Sequence, residues 1–153
     1  LTLALAREML SCAGVDDVDP ADRLADGSAM DVWRAMIAAQ DGDPDAPLPV
    51  AAEREQVVAE SDGVLTRLDA LAVGVAAWRL GAGRARQGEP VQAGAGVELH
   101  AKPGDQVRAG QPLLALHTDD PERFARARTA LDGAWSVGSE LEQRSRLVID
   151  RIG

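Results

Sequence analysis

Residues 98–120 read ELHAKPGDQVRAGQPLLALHTDD, and this stretch constrains the fold more than any other. Gly104 supplies a turn with φ > 0, Asp105 can bond nearby backbone amides, and Gly110 permits a second bend. Ahead of the first turn, GVELHA alternates Val97, Leu99 and Ala101 against Glu98 and His100, which predicts a strand with one buried face. Beyond the second bend, PLLALHT predicts a more buried strand. A β-hairpin unit with antiparallel pairing follows from these signals.

The chain has 153 residues, enough to bury a sizeable core. That core must be aliphatic, because hydrophobic residues make up 46% of the chain and aromatic ones only 3%. A net charge of −9 leaves no basic stripe to neutralise phosphates, which argues against nucleic acid and against an anionic membrane surface. No apolar run approaches a membrane span, and LTLALAREML lacks the basic start of a signal peptide. Cys12 stands alone, so an intrachain disulfide and a multi-cysteine metal site are excluded, in keeping with a reducing cytoplasm. The chain opens on Leu1 inside a helical pattern with no cap before it, which is the expectation for part of a longer polypeptide.

Residues 1–13 predict a helix closed by Gly14. Asp19-Pro20 suits an N-cap followed by proline at the first helical position, for a short helix to about Leu24. Ser28 or Gly27 starts a third helix, with Met30, Trp33, Met36 and Ile37 on one face, ending near Gln40. DGDPDAPLP, at 41–49, reads as an exposed connector. QVVAESDGVLTRLD predicts two strands around an Asp62-Gly63 turn. ALAVGVAAWRLGAGR predicts a helix with Leu71, Val75 and Trp78 on one stripe, a close backbone approach at Gly74, and an end at Gly81 or Gly83. Asp119 or Asp120 opens a further helix to about Ala134, with Phe124, Ala127 and Leu131 on its inner face. RLVIDRI reads as a final strand.

Hairpins of this kind also build biotinyl and lipoyl carrier domains. Such a carrier needs a lysine at an exposed hairpin tip, roughly twenty residues before the Gly-Asp-x-Val segment. The one lysine here is Lys102, two residues before Gly104 and followed by Pro103. The carrier reading fails on position and surroundings.

DGVLTRLDALAVGVAAWRLGAGR followed by VELHAKPGDQVRAGQPLLALHTDD resembles the C-terminal domain of thymidine and pyrimidine-nucleoside phosphorylases. Upstream, SAMDVWRAMIAAQDGDPDAP resembles the linking helix of that family, including an Ala-Gln-Asp-Gly-Asp run at 39–43. The resemblance extends from about Leu1 to about Ala134, and the arginine bias agrees with its actinobacterial members. It implies an α+β fold in three parts. Residues 1–42 are helices from the edge of a larger α/β domain, and 43–52 are a Pro/Asp-rich linker. Residues 53–153 are a mixed antiparallel β-hairpin and helix module, barrel-sandwich-like, of the phosphorylase C-terminal type.

The resemblance also implies a cytoplasmic, homodimeric enzyme of nucleoside salvage, a glycosyltransferase without organic cofactor. Phosphate attacks C1′ of thymidine or a related nucleoside, and free base and 2-deoxyribose 1-phosphate leave. Catalysis then rests on placing the phosphate dianion and stabilising the departing pyrimidine anion. The family holds phosphate with a Gly/Ser-rich loop and a lysine, and the base with Arg, Ser, Lys and His. No segment of this chain matches those motifs, nor the monovalent-cation site of some members, so no catalytic, cofactor-binding or metal residue is carried over to it. The expectation is the C-terminal part of the mobile domain, inactive alone, partnered by a missing N-terminal part. The alternative is a standalone scaffold or interaction module with no enzyme attached.

Other residues were weighed on their own chemistry. His100 and His117 lie on adjacent strand signals, but a zinc site needs a third ligand, so surface or capping histidines are the reading. GAGRAR at 81–86 follows a helix, whereas a phosphate cradle precedes one, so a helix cap and loop are expected. The Asp16, Asp17, Asp19 and Asp41, Asp43, Asp45 runs lack the glycine and distal glutamate of a calcium loop and read as solvated loops. Cys12, with no base closer than Arg7, reads as a buried helix cysteine.

Overall fold

The computed structural model describes residues 1–140, 148–150 and 152. It forms two compact units, one built on Leu1–Pro47 and the other beginning at Leu48.

The first unit holds three helices, α1 (Thr2–Cys12), α2 (Pro20–Ala25) and α3 (Ser28–Ala39). Their limits follow the cap residues. Gly14 takes φ 68 just past α1, where a left-handed residue ends a helix without a Cβ penalty. Asp19 caps α2, its carboxylate accepting the Ala21 N–H at 3.0 Å. Gly27, at φ 82, leads into α3, and Asp26 accepts both the Ser28 N–H and the Ser28 hydroxyl. None of the three helices buries a residue fully. The predicted face of α3 exists but is open: Met30, Trp33 and Met36 are 50%, 43% and 49% exposed. Cys12 is also exposed, against the expectation of a buried thiol.

The second unit is α+β. Its strands are β1 (Glu53–Val58), β2 (Gly63–Leu68), β3 (Gly96–Leu99), β4 (Gln106–Val107), β5 (Pro112–Thr118) and β6 (Trp135–Gly138), with α4 (Ala70–Ala77) and α5 (Arg123–Leu131). Every strand pair is antiparallel, in two three-stranded sheets ordered β1-β5-β3 and β4-β2-β6. Among the described residues neither sheet closes into a barrel.

The stretch 98–120 supplies strands to both sheets. Its first turn has Gly104 at φ 99, with Asp105 accepting the Lys102 N–H at 2.8 Å. That turn docks on β2, because Leu65 and the Gly104–Asp105 segment exchange two backbone hydrogen bonds. The second bend, with Gly110 at φ 82, extends the β1–β5 ladder through Ala59. The ladder slips at Val57/Val58, opposite Pro112, a residue with no N–H to contribute.

The Asp62-Gly63 pair is therefore not a hairpin turn. The strands on either side of it exist, but β1 pairs with β5 and β2 with β4 and β6. Asp62 accepts the Ala109 N–H at 2.8 Å, which ties the crossover to the second bend.

The core is aliphatic, as composition requires. Leu65, Leu80, Leu113, Leu114 and Leu116 are completely buried, with Leu131, Ala76, Ala127 and Val107 packed among them. The inner face of α5 is the predicted one, Phe124, Ala127 and Leu131, although the helix ends at Leu131, with Gly133 at φ 66 just beyond it. For α4 the face differs. Leu71 and Trp78 are 77% and 45% exposed, while Ala76 and Leu80 are buried. Positions 70–77 hold only Ala, Leu, Val and Gly, so periodicity carried no information about facing. Gly74 has open space where its Cβ would stand, so no backbone approaches it. After α4 the chain widens into a π-type turn over Trp78–Ala82, with Gly81 at φ 117.

The final strand expected over RLVIDRI lies partly outside the described residues, and Val148, Ile149, Asp150 and Ile152 form no strand. No described helix is long and apolar enough to cross a membrane.

Candidate functional site

Strand register gathers one polar cluster. His117 of β5 is opposite Arg54 of β1 and Gly96 of β3. With a side-chain period of two, Gly96, Glu98 and residue 100 project on the same side. The result is a group around Glu98. Its Oε2 lies 3.4 Å from His117 Nε2, 3.7 Å from His100 Nε2 and 3.6 Å from a terminal nitrogen of Arg54. The same guanidinium is 3.3 Å from His100 Nε2.

The two histidines, seventeen residues apart in sequence, thus meet at one carboxylate, each with a side chain about a quarter exposed. Arg54 brings a permanent positive charge to that carboxylate. Among the described residues no three His, Cys, Asp or Glu are arranged to hold a metal ion. Arg54 was not singled out from sequence, because only the pairing of β1 with β5 brings it there.

The GAGRAR segment follows α4 as a loop, and other contacts shape it. Trp78 Nε1–H donates to the Arg84 carbonyl at 3.1 Å. Glu89 accepts the amides of Ala85 and Arg86 at 3.0 and 3.2 Å. Gln92 closes the loop, donating its N–H to the Gly81 carbonyl at 3.0 Å and accepting the Asp119 N–H at 2.8 Å. Gly83 lies close against the indole, where a Cβ would come within 2.8 Å of Trp78 Cδ1. Loop, π-type turn and α5 enclose a cleft of about 260 Å³ lined by Trp78, Arg79, Glu89, Arg123 and Arg126 among others. The sequence signal for it was the Trp78-Arg79 pair with arginines at i, i+3 on α5, a spacing that puts both on one face.

The remaining candidates have local roles. Asp19 is held below the ordinary aspartate range, first by the Ala21 amide and then by Arg7, whose guanidinium is 3.0 Å away. Asp26 is lowered by Ser28, through its hydroxyl and its amide, and by the charge of Arg23. Asp43 accepts the Asp45 N–H at 2.9 Å, and Asp45 lies 3.9 Å from Arg34. Lys102 opens the Gly104-Asp105 turn, its backbone N–H spent on Asp105.

Residues 64–138 match the family model of the pyrimidine nucleoside phosphorylase C-terminal domain. The match runs from the second residue of β2 to the last residue of β6. Two curated relatives, the thymidine phosphorylases of Mycobacterium tuberculosis strains CDC 1551 / Oshkosh and ATCC 25618 / H37Rv, are each 51% identical over 152 residues. That alignment covers 99% of this chain and 36% of each relative, so the chain spans about a third of their length. Through the domain at 64–138 and the similarity along its whole length, the chain belongs to the thymidine and pyrimidine-nucleoside phosphorylase family, to its C-terminal part.

Proposed function

We propose that this chain is the non-reacting C-terminal part of a nucleoside-salvage phosphorylase that converts thymidine and phosphate to thymine and 2-deoxyribose 1-phosphate. The carrying observation is the 51% identity over 152 residues to a thymidine phosphorylase of which the chain spans only 36%. The identity takes in the helices of the first unit as well as the α+β domain, which supports a joint origin in one enzyme.

In this reading residues 1–42 complete the edge of a larger α/β domain, 43–52 link, and 53–153 form the appended module. The chain supplies mass, shape and packing surface to a domain that closes over the substrates. The groups that hold phosphate and base come from the part of the relatives that this chain does not span. No residue here takes a catalytic, cofactor or metal role, and the chain alone turns nothing over. The whole enzyme is a cytoplasmic homodimer acting on phosphate and a pyrimidine nucleoside.

A chimera tests the assignment. This chain replaces the segment it matches in the M. tuberculosis thymidine phosphorylase. A chimera that cleaves thymidine in a phosphate-dependent way is the expected result. A folded, dimeric chimera with no activity overturns the assignment.

A further inference from the structure

The chain carries a net charge of −9, yet three arginines line the Trp78 cleft against one glutamate. Their charges are only partly neutralised among the described residues. Among the described residues Arg79 and Arg126 have no ion-pair partner, and Arg123 is paired only through Nε, with Asp120 at 3.1 Å. Arg79 spends one terminal nitrogen on the Arg126 carbonyl at 2.7 Å. A guanidinium has five N–H donors in a rigid fork, so each of the three retains donors for a ligand. Glu89, which braces the loop through Ala85 and Arg86, and Asp120 beside Arg123 offset two of the three charges and leave the group net positive.

The cleft is built before any ligand arrives. Its loop wall is held by Trp78, by Glu89 and by the Gln92 closure, so little ordering opposes binding. Trp78 is 45% exposed, and its indole N–H is already used inside the wall. What it offers a ligand is ring surface. Planar guanidinium forks match the oxygens of a phosphate, and an indole face favours a flat or ring-shaped body. The volume of about 260 Å³ lies just below the range of drug-sized sites, roughly 300–1,000 Å³, which suits a small body such as a single ring.

We propose that this cleft is a binding site for a small phosphomonoester carrying one ring, with the phosphate on Arg79, Arg123 and Arg126 and the ring against Trp78. The site stands independently of the phosphorolysis reading, since none of its residues takes part there.

The test uses the 153-residue chain with three probes: inorganic phosphate, phenyl phosphate and benzoate. Binding is followed by calorimetry and by the indole N–H resonances of Trp33, Trp78 and Trp135. Phenyl phosphate is expected to saturate, to shift the Trp78 resonance selectively, and to bind several-fold more tightly than either other probe. Arg126→Gln is expected to weaken it about tenfold, with Arg126→Lys restoring part of the loss by charge alone. Arg126 is exposed and its guanidinium has no ion-pair partner among the described residues, so both variants retain the fold, which circular dichroism checks. The proposal is overturned by the absence of saturation at about 10 mM, by benzoate or phosphate binding as tightly as phenyl phosphate, or by affinity unchanged in Arg126→Gln.

Discussion

Thr118 ties β5 to the π-type turn that follows α4. Its buried hydroxyl donates to the Leu80 carbonyl at 2.7 Å and accepts the Asp120 N–H at 3.2 Å, with Gln92 Oε1 3.1 Å away. Thr118→Val keeps the shape and leaves these groups without the hydroxyl. It is expected to destabilise the second unit by about 1–3 kcal/mol, read from the urea midpoint, while Thr118→Ser keeps most of that stability. An unchanged midpoint for the valine variant contradicts the role given to the hydroxyl. At the helix caps of the first unit, the lowered carboxyls of Asp19 and Asp26 set a pH dependence. A carboxyl lowered in the folded state contributes stability that is present above its unfolded pKa and is lost as pH falls through the folded one. Carboxyl carbon resonances are expected to titrate below the ordinary aspartate range for both residues, and the start of α2 to fray in acid as Asp19 protonates and the start of α3 as Asp26 does. Ordinary midpoints for both contradict the capping geometry.

Strand pairing is most exposed to test at Gly63. Its φ is 153, and a Cβ there would stand 2.5 Å from the Gly138 carbonyl oxygen of β6. Gly63→Ala is expected to separate β2 from β6, to lower stability by about 1–3 kcal/mol, and to raise amide exchange across residues 135–138. Unchanged exchange there contradicts the pairing. How much of this was legible in the sequence depended on each element. α5 was readable because Arg123, Arg126, Arg128 and Thr129 are interspersed with Phe124, Ala127 and Leu131, leaving one possible inner face. α4 existed as predicted but showed its wrong side, since no polar residue marks the outside. β4 is only two residues long, too short for periodicity. β6 finds its partner in β2, with Leu68 opposite Trp135, a pairing that no local pattern encodes. The Asp62-Gly63 signal was real as a bend and misleading as a hairpin, because Asp62 is engaged by Ala109 instead. The polar group at Glu98 was hidden because it needs distant strands in register, and of the arginine cleft only the local Trp78-Arg79 and Arg123/Arg126 spacings were visible, not their meeting.

Across the whole molecule charge is unevenly divided. Residues 1–47 hold three arginines against ten Asp and Glu, a net of −7 of the chain's −9. The exposed apolar side chains of α1 and α3 sit within this acidic segment, with Leu5, Met9 and Trp33 among them. Exposed apolar groups of this kind can mark surfaces that pack against something, and in the proposed function that something is the rest of a larger domain. The stability of the α+β domain is expected to be independent of that segment. Residues 48–153 expressed alone are expected to unfold with the same urea midpoint, within about 0.5 kcal/mol, as the second unit of the full chain, and a large loss contradicts that independence. The proposed role is likewise a whole-molecule statement, in which the reacting groups of the phosphorylase are assigned to the part of the relatives that this chain does not span. Incubating the purified chain with thymidine and phosphate, and following thymine release, is the most direct measurement of it. The expected result is no thymine above the protein-free control, whereas phosphate-dependent release by this chain alone contradicts the account.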